Sequence, residues 1–263
     1  MNQKYRASGG NPRSRRWLVT PLAVVMLVAG CATAVDGTAR PGANFKARPL
    51  SGSTIKQVLL GPSALSRILD QSFRIDPHLP PRFGGPEALR DDGWDSPGDC
   101  LGVAAVLQQV VYQSSKVTHA AVETWRHVAR SAEGVSVTEG VVSLPTAGDA
   151  RALFAKFSEQ WRKCDGATVP LSGSVFSLEA KTTNVQVADS IVAATVSRGF
   201  ASHSSDAAAV PAGRAIGVRG NCLVEVEVEF FSTSNPSHRG SGDINTSAAE
   251  IARNMLDKVT ALS

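Results

Sequence analysis

No catalytic signature stands anywhere in the 263 residues. There is no G-x-S-x-G elbow, no P-loop, no H-E-x-x-H pair and no glycine fingerprint following a strand. The five histidines are His78, His119, His127, His203 and His238, and no two have zinc-site spacing. No apolar run is long enough to cross a bilayer: the longest, residues 17–30, has 14 residues, where a ~30 Å core needs roughly 20. A surplus of one charge is missing too. The formal net charge is +4, but Lys4, Arg6, Arg13, Arg15 and Arg16 lie in a leader with no acidic residue; removing these five of 27 basic residues leaves 22 against 23 acidic ones. No basic patch interleaved with aromatics survives, so nucleic acid is excluded as a partner. No metal site and no cofactor are expected.

What is present begins with that leader. A basic stretch over 1–16, an apolar run over 17–30 (WLVTPLAVVMLVAG) and small residues before a cut describe an export signal. Val28-Ala29-Gly30-Cys31 resembles the bacterial lipobox, with Val28 where the family's usual residue is Leu. The resemblance implies that residues 1–30 are removed as a signal peptide. Cys31 then receives diacylglycerol on its thiol and often an acyl chain, such as palmitate, on its new amine. Each buried CH₂ contributes ~0.8 kcal/mol, so two or three chains hold a protein firmly to the cell membrane, here on its outer side. Ser14-Arg15-Arg16-Trp17-Leu18 looks like a twin-arginine export signal as well.

Residues 31–54 are rich in Ala, Gly, Pro and Thr without periodicity and read as the lipidated N-terminus and a flexible tether. The domain, 55–263, is expected to begin near Ile55. Residues 62–72 predict a helix opened by Pro62, 76–99 a Pro/Gly-rich loop, and 100–112 a second helix. Strands are expected over 117–129 and 135–144. Thr146 followed by Asp149 caps a helix over 147–163, with Ala150, Leu153, Phe154, Phe157 and Trp161 on one core-facing stripe. Further strands are expected at 174–180, 184–188, 190–200 and 213–219. In 222–231 the alternation sets Glu225, Glu227 and Glu229 on one face and Cys222, Val224, Val226, Val228 and Phe230 on the other. The acidic face is either solvated or the wall of a cleft. A last helix over 243–262 carries Ile251, Met255 and Val259 inward, with Ser247 and Glu250 as a capping box. Strands in meandering runs with a few helices point to an α+β fold, an antiparallel or mixed sheet flanked by helices.

Cys100, Cys164 and Cys222 are the disulfide candidates, and three cysteines leave one unpaired. Spacing alone does not choose among the three pairings. Cys222 lies on the apolar face of its strand, where a buried thiol acts as a small hydrophobe. Asp91, Asp92 and Asp95 cluster without the ordered pattern of a calcium loop and read as a solvated acidic turn.

Several spaced features carry a resemblance. They are Cys100 ahead of a helix, Tyr112-Gln113-Ser114-Ser115, Val141 to Leu144 leading to Pro145-Thr146-Ala147, and Ala152 to Phe157. The most specific are Trp161-Arg162-Lys163-Cys164, Arg214-Ala215 and Asn221. Over roughly 55–262 the chain resembles the extracellular sensor-like domain of the mycobacterial receptor kinase PknH, which also occurs in mycobacterial lipoproteins. The resemblance implies an α+β domain with a large cleft and an unidentified ligand: a small molecule, lipid, glycan or protein partner. It favours Cys100–Cys164 as the disulfide. It brings no catalytic residue, so a non-enzymatic binding or sensing lipoprotein of the cell envelope is expected. The alternatives are an envelope hydrolase whose site assembles only in the fold, and a structural or adhesive lipoprotein.

Overall fold

A computed structural model of the chain describes residues 48–94, 100–128, 135–171, 178–200, 209–230 and 242–263. The leader, Cys31, most of the tether, Asp95, His203 and His238 lie outside the described residues. In chain order a 3-10 segment, Gly52–Val58, precedes α1 (Pro62–Leu69), β1 (Phe73–Ile75) and β2 (Arg82–Gly84). Then come α2 (Leu101–Ala104), α3 (Gln109–Tyr112), β3 (His119–His127), β4 (Val135–Ser143) and α4 (Ala147–Lys163). The chain continues through β5 (Thr168–Leu171), β6 (Leu178–Ala188), β7 (Ile191–Phe200), β8 (Val210–Arg219), β9 (Cys222–Phe230) and α5 (Ser247–Leu262).

The nine strands form one open sheet in the order β1-β3-β4-β9-β8-β7-β6-β5, with β2 also paired to β3. Every strand pairing is antiparallel. Among the described residues one parallel contact occurs, Arg90 with Gln108, and it lies outside the strands. The fold is therefore α+β, as the run of strands and helices leads one to expect.

Both faces of the sheet are covered, so two cores flank it. Helix α4 lies over β6–β9 on one face and brings Phe154, Phe157 and Trp161 into a core with Ala180, Val192, Ile216 and Leu223. Thr146 starts this helix as predicted, its Oγ1 accepting from the Asp149 N–H at 3.1 Å. Helix α5 lays Ile251, Met255 and Val259 on the other face, against Val224, Val226 and Val228. The capping box expected at its start does not form: Thr246 occupies the N-cap without a side-chain bond, and Ser247 is already helical.

Packed chain is found on the N-terminal side of Ile55. Leu50 is buried, and Asn221 clamps it in both directions. The Asn221 Oδ1 accepts from the Leu50 N–H at 2.8 Å, and its Nδ2 donates to the Leu50 and Leu144 carbonyls at 2.9 and 2.8 Å. One residue thus ties the incoming segment to the ends of β4 and β9.

Three expectations need correction. The single helix over 100–112 is two short ones, because Ala105–Gln108 is not helical and Leu107 is left-handed (φ 54°). The Leu107 N–H goes to the Glu225 carboxylate at 3.0 Å, so a helical ladder cannot use it. Of the strands expected at 174–180 and 184–188, residues 174–177 lie outside the described residues and the rest falls in one strand, β6, whose register shifts between Thr183 and Gln186. Strands β1 and β5 were not expected, and β2 falls in what reads as a loop; each is three or four residues long, too short for period two to show.

Candidate ligand-binding site

The acidic face of β9 is not solvated. Glu225 and Glu227 are 3 % and 4 % exposed, and Glu229 is half-buried. Their row faces α4 and the segment 100–108, and arginines from β7 and β8 neutralise it. Arg214, with no exposure at all, donates to Glu225 at 2.5 Å and lies 3.5 Å from Glu227. It also donates to the carbonyls of Val103 and Gly102 at 3.0 and 3.2 Å, and its guanidinium lies 5.5 Å from the centroid of the Trp161 ring. Arg198 pairs with Glu227 and, at 3.0 Å, with Glu229, and donates to the Ala104 carbonyl. Tyr112 completes the inner end, its hydroxyl donating to Glu225 at 2.7 Å.

Position in this row decides each ionisation. Burial pushes Glu225 up, against the pull of Arg214. Burial also works to raise Glu227, but Arg198 and Arg214 outweigh it and hold its carboxyl below the usual range. Burial and then the neighbouring Glu227 charge raise Glu229. Burial pushes the Tyr112 phenol well up, so it stays a neutral donor. A buried ion pair of this kind contributes little net stability, yet removing one partner leaves an uncompensated charge. Arg214, Arg198, Glu225 and Glu227 each have two or more partners in it, while the buried Arg214 Nε has none among the described residues.

The outer end of the row opens into a cavity of about 230 Å³. Its floor carries the hydroxyls of Thr124, Ser136 and Thr138, cross-strand and two-apart neighbours on β3 and β4. Arg198, Glu227 and Glu229 form one side; Arg90, Asp92 and Trp94 form the other. The second side is held in place from within. Arg90 donates its N–H to the Leu107 carbonyl at 2.8 Å and its guanidinium pairs with Asp92 at 3.2 Å. Gln108 Nε2 donates to Asp92 at 2.7 Å. Leu107, whose left-handed backbone carries a strain of about 1–3 kcal/mol, therefore links Glu225 inside to Arg90 at the cavity wall. A Cβ on Gly140 would sit 2.3 Å from Leu107 Cδ1, so a larger residue there would displace the Leu107 side chain from the sheet.

A larger concavity, about 480 Å³, runs between α5 and the β6–β7 hairpin. Its charged groups, Arg219, Arg253 and Asp257, are all exposed, and no buried polar side chain lines it. The smaller cavity is the built one. The large cleft implied by the resemblance is not established by either.

The remaining sequence candidates are scattered. Cys100 and Cys164 are bonded (S–S 2.09 Å) and join the start of α2 to the end of α4, behind Arg214. Cys222 is a free buried thiol, pushed up to about 12 by burial. His119 stacks on Phe83 and His127 meets Phe73 edge-on, far apart on β3. Asp91 and Asp92 are both exposed, as expected of a solvated turn; Asp91 accepts from the Gly93 N–H, and Asp92 also stands at the cavity wall. No cluster of metal-ligating side chains occurs among the described residues. The sequence reading missed Arg90, Trp94 and Arg198 altogether, because nothing local marks residues that meet only across three strands.

The model of the PknH-like extracellular domain family matches residues 50–258, and the chain belongs to that family. Its members are sensor-type domains, not a known enzyme family. The crystal structure of the extracellular domain of PknH from Mycobacterium tuberculosis is similar in fold. It has a TM-score of 0.65 and 20 % identity, covering 82 % of this chain and 100 % of that one. An uncharacterized protein from Mycobacterium smegmatis aligns with a TM-score of 0.35 and 9 % identity, over 79 % of this chain and 96 % of that one. No curated protein matches the chain. No helix among the described residues is long and apolar enough to cross a membrane.

Proposed function

We propose that the protein is a lipoprotein of the cell envelope, anchored through acylated Cys31, whose outward-facing domain binds a ligand in the cavity between β3–β4 and the Arg90–Trp94 segment. The leader and the Val28–Cys31 pattern support the anchor. The observation that carries the binding reading is the cavity wall: Arg198, whose side chain is 18 % exposed, holds Glu227 and Glu229 pre-oriented at an opening. Buried, mutually fixed polar groups at the rim of a cavity are the mark of a site organised before its ligand arrives.

Native mass spectrometry of the protein purified from its own envelope tests this. A co-purifying mass that disappears in an Arg198→Ala variant is expected; a mass retained unchanged in that variant would place the ligand elsewhere. For the anchor, Cys31→Ala should lose acyl label and stay an uncleaved precursor, and normal maturation of that variant would overturn it.

One observation favours the hydrolase reading. Glu227 and Glu229 line one cavity, with the first carboxyl pushed down and the second up, the separation that acid–base pairs use. Arg198 engages both, which leaves neither free to move a proton to a substrate. Turnover of a chromogenic ester or glycoside that Glu229→Gln abolishes would reverse this preference.

A further inference from the structure

We infer that the ligand of this cavity is a neutral, polyhydroxylated molecule of the carbohydrate class. This rests on the reading of the cavity as the binding site and names what that site selects.

The first argument is charge. Every charged group lining the cavity already has an opposite charge: Arg90 with Asp92, and Arg198 with Glu227 and Glu229, the first of these also held by Arg214. An anionic ligand would have to draw Arg198 or Arg90 from its carboxylates. A cationic one would have to draw a carboxylate from its guanidinium. At Arg198 and Glu227, whose side chains are 18 % and 5 % exposed, either exchange strips a partner from a buried charge. A neutral ligand leaves the pairs intact and uses what remains on them. Each carboxylate oxygen has lone pairs beyond those the arginine fills, and each guanidinium has further N–H groups.

The second argument is the match of donors and acceptors. The floor presents three hydroxyls, each able to donate and accept. Thr124 Oγ1 and Thr138 Oγ1 are 3.2 Å apart across the strands, and Ser136 stands two residues along β4, about 7 Å away, bonded to Glu229. Trp94 supplies an indole Nε1–H that is buried and has no hydrogen-bond partner among the described residues. Mixed donors and acceptors at these intervals suit hydroxyls that do both, as sugar hydroxyls do. The third argument is the apolar part. Leu171 and Leu178 line the same cavity beside Trp94, and Leu79, 42 % exposed, stands at it. A sugar ring has C–H faces to lay on such surfaces, whereas an inorganic ion has none. The volume of about 230 Å³ has room for a single sugar ring.

The test follows the Trp94 indole N–H signal of the isotope-labelled full-length chain, identified by its loss in Trp94→Phe. The probes are glucose, arabinose and myo-inositol, each neutral, with glucuronate and glucosamine as charged counterparts. A saturable shift with at least one neutral probe is expected. Binding should weaken about three- to tenfold in Ser136→Ala and in Thr138→Val, each removing one hydroxyl, and stay unchanged in Asn245→Ala, which lies at the other concavity. If glucuronate or glucosamine shifts the signal at lower concentration than every neutral probe, the argument from charge pairing fails and the ligand is a charged one, while the site stands. If no probe moves it, although a co-purifying mass still depends on Arg198, the inference fails and the binding reading survives. If Thr138→Val unfolds, Ser136→Ala alone decides.

Discussion

Glu139 sets a pH dependence that one substitution isolates. It stands on β4, opposite Glu123 of β3, on the face covered by α5 and the N-terminal segment, and it has no exposed surface. Its carboxylate accepts from the Leu60 N–H at 3.0 Å, the Gly61 N–H at 3.4 Å and the Trp125 indole at 3.0 Å, so it holds the backbone that enters α1. Lys258 of α5 bonds the Leu59 carbonyl nearby and attracts both glutamates. Burial dominates these contacts and raises Glu139 from the usual 4.5 to about 7, with Glu123 adding to the rise. The unfolded chain releases this proton near 4.5 and the folded chain keeps it to about 7. The proton's contribution to stability is therefore complete below 4.5 and is lost as the pH rises through 7. The gap, at about 1.4 kcal/mol per pH unit, is about 3 kcal/mol, or about 10 °C in Tm for a domain of this size. In Glu139→Gln the amide oxygen still accepts from the same donors but cannot ionise. Thermal or urea unfolding of both proteins at pH 4.5, 6 and 8 reads the effect. The wild type should lose about 3 kcal/mol more than the variant between the first and last pH. Parallel stability curves would show that Glu139 ionises normally, and the argument from its burial would fall.

Four further outcomes are expected. Arg214→Met strands Glu225 and Glu227 and should cost about 3–5 kcal/mol in urea unfolding; Arg214→Met/Glu225→Gln, which removes the orphaned charge and keeps an acceptor for Tyr112 and Leu107, should recover part of that loss. Replacing both Cys100 and Cys164 by serine opens a loop of 64 residues and should cost about 4 kcal/mol. Cys222, buried and pushed up to about 12, should resist iodoacetamide at pH 8 in the native state and react once unfolded. Gly140→Ala pushes a methyl into Leu107 and should cost about 1–3 kcal/mol, a shift read in the same unfolding assay.

The helices and long strands were legible because their periods are long enough to repeat. Helix α4 shows four turns of stripe and a Thr146 cap, and β9 shows four alternations; both formed within a residue or two of expectation. What β9 faces was not legible. Alternation says that Glu225, Glu227 and Glu229 share a side, and a solvated face is the ordinary meaning of three glutamates. Their burial depends on Arg198 and Arg214, which stand on two other strands and come opposite only through the β7–β8–β9 register. The break at Ala105–Gln108 was hidden for the same reason: the local sequence favours helix, and a carboxylate 118 residues away takes the Leu107 N–H. The disulfide was legible only through family resemblance, since three cysteines permit three pairings.

The same network explains why the domain carries charge where a hydrophobic core would be simpler. Around α4 the sheet is filled by aromatics and aliphatics; along the β9 row it is filled by two arginines and three glutamates that gain little from being there. Their geometry is what such a row supplies. Arg214 is fixed by two carbonyls, two carboxylates and the Trp161 face, and it fixes Glu227 in turn. Glu227 fixes Arg198, and Arg198 fixes Glu229 at the opening. Each step outward is less buried and still fully partnered, so the last groups reach the cavity with their orientations already set. On the proposed binding reading, a ligand that meets them does not have to order them first, and the entropy of ordering is spent at folding instead of at binding. A polar row that ended inside the core would have no such use. This one ends at a cavity whose floor is hydroxyls.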